Sequence, residues 1–180
     1  MKKMYLLFLS VICLLSGGCE QELEEDKPDT TLSEIIARAS HTETFMRSSF
    51  VADKGRESVV FTGSDILWFN ETTKEIRFQE NVSMKNVISI HQSVKIYIGN
   101  EYLFSSMICV SSLNSQIFNS LVLYYNMVEN KYYLLDGYPE VAVLSDPQEA
   151  QKLRNENRQT IASEWKKFID QLKKEGRYKN

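Results

Sequence analysis

From Thr42 to Val143 the apolar positions recur with a period of two, and turn-forming residues interrupt them every few positions, a pattern of short strands. The predicted strands are Thr44–Val51, Glu57–Thr62, Ile66–Asn70, Glu75–Gln79, Val87–His91, Ser93–Ile98, Glu101–Val110, Ile117–Val128, Lys131–Asp136 and Val141–Leu144. Short strands joined by local turns predict antiparallel pairing, because a parallel pair needs a crossover of about a dozen residues. On either side the period becomes helical. Leu32, Ile35, Ile36 and Ala39 make one stripe, and Glu34 stands in capping-box register with Thr31, so a short helix is expected over Thr31–Ala39. Downstream, Asp146 offers a capping carboxylate, Pro147 suits the first helical position, and Gly176 is a stop. Between them Ala150, Leu153, Ile161, Trp165, Phe168, Ile169 and Leu172 form an apolar stripe. One helix over Pro147–Glu175 would measure about 43 Å, and its polar middle, Arg154–Gln159, is where a kink or protrusion is expected.

These elements predict an α+β fold: an antiparallel, curved sheet of about eight strands, a meander, with the short N-terminal helix and the long C-terminal helix packed on it. A closed, lipocalin-like barrel followed by a helix is the alternative. Three hairpins are expected. Gly99-Asn100 suits a two-residue turn in which glycine supplies positive φ; the register that follows sets Tyr97 opposite Tyr102, Ile96 opposite Leu103 and Lys95 opposite Phe104. One face would then carry Val94, Ile96, Ile98, Leu103, Met107 and Cys109, and the other Tyr97, Tyr102, Phe104, Ile108 and Val110. A second hairpin runs from Asp65–Phe69 through Asn70–Lys74 to Glu75–Phe78, with Trp68 facing Phe78, although Ile66–Phe69 also suits a short helical turn. A third joins Leu121–Val128 to Lys131–Leu135 around Glu129-Asn130.

The N-terminus has a different character. Lys2 and Lys3 precede an apolar run, Met4–Leu15, then Ser16-Gly17-Gly18 and Cys19. The run is too short for a permanent membrane span, and basic, apolar and small-residue segments in this order form an export signal. The segment resembles bacterial lipoprotein signals, although Ser16 stands where leucine is usual three residues before the cysteine. The resemblance implies cleavage after Gly18 and lipid attachment at Cys19, with palmitate-like chains as membrane anchor. Glu20, Glu22, Glu24, Glu25, Asp26 and Asp29 follow, opposed only by Lys27, so residues 19–30 form a self-repelling acidic tether. This stretch resembles the acidic segment of surface-exposed lipoproteins of Bacteroidota, and Asp29-Thr30-Thr31 resembles a short O-glycosylation signal of that group. The implied location is the cell envelope, on the outer membrane. The expected organisation is signal 1–18, tether 19–30 and a single domain 31–180, a length able to bury a sizeable core.

Charge and cysteine content narrow the functions. Residues 30–180 hold 18 Lys or Arg and 18 Asp or Glu, and phosphate-backbone binding needs a basic surplus on one face, so nucleic acid is not an expected partner. The surplus of residues 147–180, nine basic against five acidic, reads as a solvated helix face. Cys13 leaves with the signal and Cys19 with the lipid, so Cys109, in an apolar strand, is expected to be a small buried hydrophobe. With seven glycines in the chain, two of them in the signal, there is no phosphate-cradling loop. No nucleophile motif and no metal-spaced Cys/His cluster is present, and no catalytic residue, metal or cofactor is assigned.

Tyrosine is the compositional signal. Seven of the nine fall between positions 97 and 138, and each offers an apolar ring with a polar tip. Neighbours in a strand point to opposite faces, so Tyr124-Tyr125 and Tyr132-Tyr133 cannot all share one platform. The expected function is a non-catalytic binding or accessory protein held to the envelope by its lipid, meeting a protein or carbohydrate partner through Tyr97, Tyr102 and Tyr133. Two other functions are weighed. A carrier would hold an apolar ligand in a cavity walled by Ile96, Ile98, Leu103 and Met107, and an envelope hydrolase would use His41 or His91 with a carboxylate or hydroxyl partner.

Overall fold

A computed structural model describes residues 34–40, 57–82, 84–85, 87, 91–111 and 115–180, all within the unit Thr31–Asn180. The signal, Cys19, the tether, His41 and the expected strand Thr44–Val51 lie outside the described residues. The strands are β1 (Ile35–Ser40), β2 (Glu57–Thr62), β3 (Ile66–Asn70), β4 (Glu75–Phe78), β5 (Ser93–Ile98), β6 (Glu101–Val110), β7 (Val122–Asn126) and β8 (Lys131–Leu135). Helices α1 (Pro147–Thr160) and α2 (Ala162–Lys174) follow, and β9 (Tyr178–Lys179) closes the chain. All nine strands form one curled, half-barrel sheet in the order β2-β1-β5-β6-β7-β8-β4-β3-β9.

That sheet corrects the meander. It is mixed: β6 and β7 run parallel, as do β3 and β9, and the other neighbours are antiparallel. The stretch between Val110 and Val122 is long enough for a crossover, so β7 enters beside β6 in the same direction. Its register follows Met107 opposite Val122 and Cys109 opposite Tyr124. The expected strand Ile117–Val128 shortens accordingly to β7, with Phe118 bridging Tyr138 instead.

The short N-terminal helix is also corrected. Over its described part the segment is β1, which is bonded by β2 on one side and β5 on the other. Ile35, Ala37 and Ala39 are fully buried, a period of two that competes with the helical spacing of Ile35, Ile36 and Ala39 in the same six residues. Two neighbouring strands decide between them. The expected strand Val87–His91 goes the other way: Met84, Lys85 and Val87 have helical backbone, and His91 N–H donates to the Val87 carbonyl at 3.0 Å. Val141–Val143 is a 3-10 turn rather than a strand.

The hairpins keep their turns and change their pairing. Gly99 has φ +58° as its turn requires, and Tyr97 does face Tyr102, but a bulge then places Phe104, not Leu103, opposite Ile96 and Ser105 opposite Lys95. An extra residue in one strand reverses the parity beyond it. Leu103 and Phe104 are consequently both buried, while Tyr102 joins the face of Ser105, Met107 and Cys109. In the β3–β4 hairpin Trp68 faces Arg77, and Ile66 takes Phe78. Asn70 Oδ1 accepts from Thr73 N–H at 2.8 Å in its turn, and Asn126 Oδ1 does the same for Val128 and Glu129 at the tip of β7–β8.

Asp146 caps α1, accepting from Glu149 N–H at 3.0 Å. The single long helix is two, because Ile161 leaves helical backbone at φ −110° and ψ 15°, just beyond the polar stretch. The break frees α2 to lay Trp165, Phe168, Ile169 and Leu172 into the core. There Trp165 meets Phe69 and Phe104 with ring centroids 5.7 Å from each, and Phe168 meets Phe104 at 5.5 Å. Gly176, at φ +70°, ends α2. Its N–H and that of Arg177 bond back to the Lys173 and Leu172 carbonyls, a glycine-terminated helix end that turns the chain into β9.

Candidate functional site

The strand register distributes the tyrosines. Tyr97 faces Tyr102, Cys109 faces Tyr124, and Tyr124 faces Tyr133, so all three expected binding tyrosines share one face of the sheet. They do not share one patch. Tyr102 and Cys109 lie at opposite ends of β6, on the order of 20 Å apart at about 3.3 Å per residue.

The first patch is the Tyr97/Tyr102 pair, edge to face at 5.6 Å. The Arg38 guanidinium sits 5.1 Å over the Tyr97 ring, and Glu57 accepts from both Lys95 and the Tyr97 hydroxyl. Lys95 beside it holds the Glu57 carboxyl below its ordinary range. Tyr102 is 51% exposed.

The second patch borders a cleft of about 480 Å³ lined by Lys74, Tyr124, Leu135, Asp136, Gly137, Tyr138, Glu140, Val141, Ala142, Gln151 and Arg154. Tyr124 and Tyr138 stack in its wall at 5.4 Å and 27°, and Tyr133 stands behind Tyr124 at 6.2 Å. Burial raises the Tyr124 hydroxyl's pKa. The Tyr133 hydroxyl donates to Glu129 at 2.6 Å, and that bond to a carboxylate pushes its pKa up to about 12. Both phenols are therefore protonated donors at neutral pH. On the opposite face Tyr125 stacks on Tyr132 at 4.8 Å, and Tyr132 abuts Phe78 of the core. The opposition of neighbouring tyrosines thus sorts cleft from core.

Helix α1 completes the cleft. Arg154 is 7% exposed; its Nε donates to Asn119 Oδ1 at 3.2 Å and its Nη2 to the Pro139 carbonyl at 2.7 Å. Burial lowers its pKa from the ordinary guanidinium value. A Cβ at Gly137 would overlap the Arg154 guanidinium, so a larger residue there would have to displace that side chain. A slightly larger depression, of about 530 Å³, follows the polar side of α1 from Pro147 to Gln159, but it has no aromatic wall.

Strand pattern alone could single out Tyr133 and not the cleft, which also needs Tyr138 from a loop and Arg154 from a helix. One signal was legible: Ala150, Arg154, Arg158, Ile161 and Trp165 fall on one helical stripe, so two arginines interrupt the apolar face. The Cys109 thiol is fully buried, as expected of a small hydrophobe. His91 is buried to 7% exposure, and among the described residues no group of three or more His, Cys, Asp or Glu side chains could hold a metal ion. No family model matches the chain, and no curated protein or solved structure matches it either.

Proposed function

We propose that this chain is a lipid-anchored cell-envelope protein of non-catalytic binding type, and that its ligand is a saccharide of one or two rings held in the Tyr124/Tyr138 cleft. The stacked tyrosine wall carries the reading. Aromatic faces suit the C–H face of a sugar ring, while Lys74, Asp136, Glu140 and Gln151 offer polar groups to its hydroxyls. The volume falls in the range of about 300–1,000 Å³ usual for small-molecule sites. The Tyr97/Tyr102 pair becomes an accessory surface. The sheet's concave side supports the carrier reading poorly, because Ile96 and Leu103 are packed within the core that α2 fills. Among the described residues no helix is long and apolar enough to cross a membrane, and attachment is assigned to lipid at Cys19.

Saturation-transfer NMR with a panel of neutral disaccharides tests the site. Saturable binding is expected from at least one, lost in Tyr138→Ala and kept in Tyr102→Ala; binding that survives Tyr138→Ala, or a panel without a binder, would overturn it. The anchor is tested by growing cells with a clickable fatty acid, which should label the parent and not Cys19→Ala.

A further inference from the structure

Beside the cleft, sharing its Asp136 and Arg154, lies a smaller compartment of about 110 Å³ whose lining includes Ser105, Ser120, Arg158 and Thr160. At roughly 30 Å³ per water it admits three or four waters or one small ion, and no sugar ring. Its charge is uneven. Asp136 is the single lining carboxylate, and Arg158 Nε approaches it at 3.4 Å, while the Arg154 hydrogen bonds to Asn119 and Pro139 end on neutral oxygens. Glu71 acts on Arg158 from outside the lining, but its carboxylate accepts the Tyr178 hydroxyl at 2.5 Å.

Arg158 is held for a purpose its own contacts do not exhaust. Its Cζ lies 3.6 Å from the Trp165 ring centroid, so the guanidinium is held over the indole, and its Nη1 is buried with no hydrogen-bond partner among the described residues. A buried donor left unmade is costly. A forked guanidinium is also the group best matched to planar or tetrahedral oxygens. We propose that this compartment binds a small oxyanion, a phosphate, sulfate or carboxylate, through Arg158 and Arg154 with the Ser105 and Ser120 hydroxyls as further donors; the Thr160 hydroxyl is already donated to the Asn157 carbonyl at 2.7 Å.

The site is separate from the saccharide reading and stands or falls apart from it. The full chain, purified in detergent, is titrated calorimetrically with phosphate, sulfate or acetate against chloride at matched ionic strength, and Trp165 fluorescence is followed in a Trp68→Phe background. Saturable binding of at least one oxyanion is expected, with a change in Trp165 emission. Arg158→Gln should weaken it tenfold or more, Ser120→Ala severalfold, and Tyr138→Ala should leave it intact. Where Arg158→Gln fails to fold, judged by circular dichroism, Ser120→Ala carries the test. Glucuronate binding tighter than acetate would identify the oxyanion as the end of the cleft's ligand, and equal affinity would identify a free ion; either supports the site. A response equal to that of chloride, or binding unchanged in the folded variants, would overturn it.

Discussion

Two clusters of aromatic rings, built on neighbouring strands, have opposite fates. Around Trp165 the rings are Phe69, Phe104 and Phe168, all within 2% of full burial, with centroids 5.4 to 6.2 Å apart. Around Tyr124 they are Tyr133 and Tyr138, at similar spacing but only partly buried. Geometry between rings is not what separates them. Phenylalanine has no polar atom to satisfy, so it can be sealed under α2 and contribute its full apolar area. Tyrosine must keep its hydroxyl in contact with water or a partner, and the second cluster stays open to a cleft. The first cluster holds the fold; the second presents a surface.

The largest effect expected from this contrast is at Trp165. Trp165→Ala should cost about 3–5 kcal/mol, the usual range for removing a large buried aromatic, measured by urea denaturation; an unchanged midpoint would mean that α2 does not hold the core. At the boundary between the clusters, Gly137→Ala should displace Arg154 and cost about 1–3 kcal/mol, as overpacking does. Tyr102→Ala, on the exposed pair, should stay within about 0.5 kcal/mol, as surface changes do.

The open cluster also answers to pH. Because the folded Tyr133 pKa is raised above the unfolded phenol's value of about 10, the stability it contributes is complete below that pH and disappears as pH rises through about 12. Spectroscopic difference titration of the parent against Tyr133→Phe should assign a late tyrosinate step to Tyr133, beside those of Tyr124, Tyr132 and Tyr178, whose pKa values are also raised. Glu129→Ala should move that step down toward the ordinary value, and a step that does not move would show that the Glu129 bond is not its cause.

What could be read along the chain was local chemistry. The Gly99-Asn100 turn, the Asp146-Pro147 helix start and the Gly176 stop each depend on one or two residues and their immediate backbone, and each stands where it was expected. Pairing between distant strands was not legible. Ile35-Ile36-Ala37-Arg38-Ala39 satisfies a helical and a strand period at once, and only β2 and β5 decide the matter. The bulge at Leu103 has no local marker, yet it moves Tyr102 to the other face. The same limit applies to the site: Tyr133 could be singled out from its strand, whereas Tyr138 and Arg154 meet only because β8, its following loop and α1 fold together.

The most direct test that the open cluster around Tyr124 is the binding surface is an NMR titration of the full chain with ring-labelled tyrosine, using the disaccharide that binds in the saturation-transfer panel. Shifts are expected at Tyr124, Tyr133 and Tyr138, with stationary signals from Tyr97, Tyr102, Tyr125 and Tyr132. Shifts confined to Tyr97 and Tyr102, with the Tyr124 and Tyr138 signals unmoved, would contradict it.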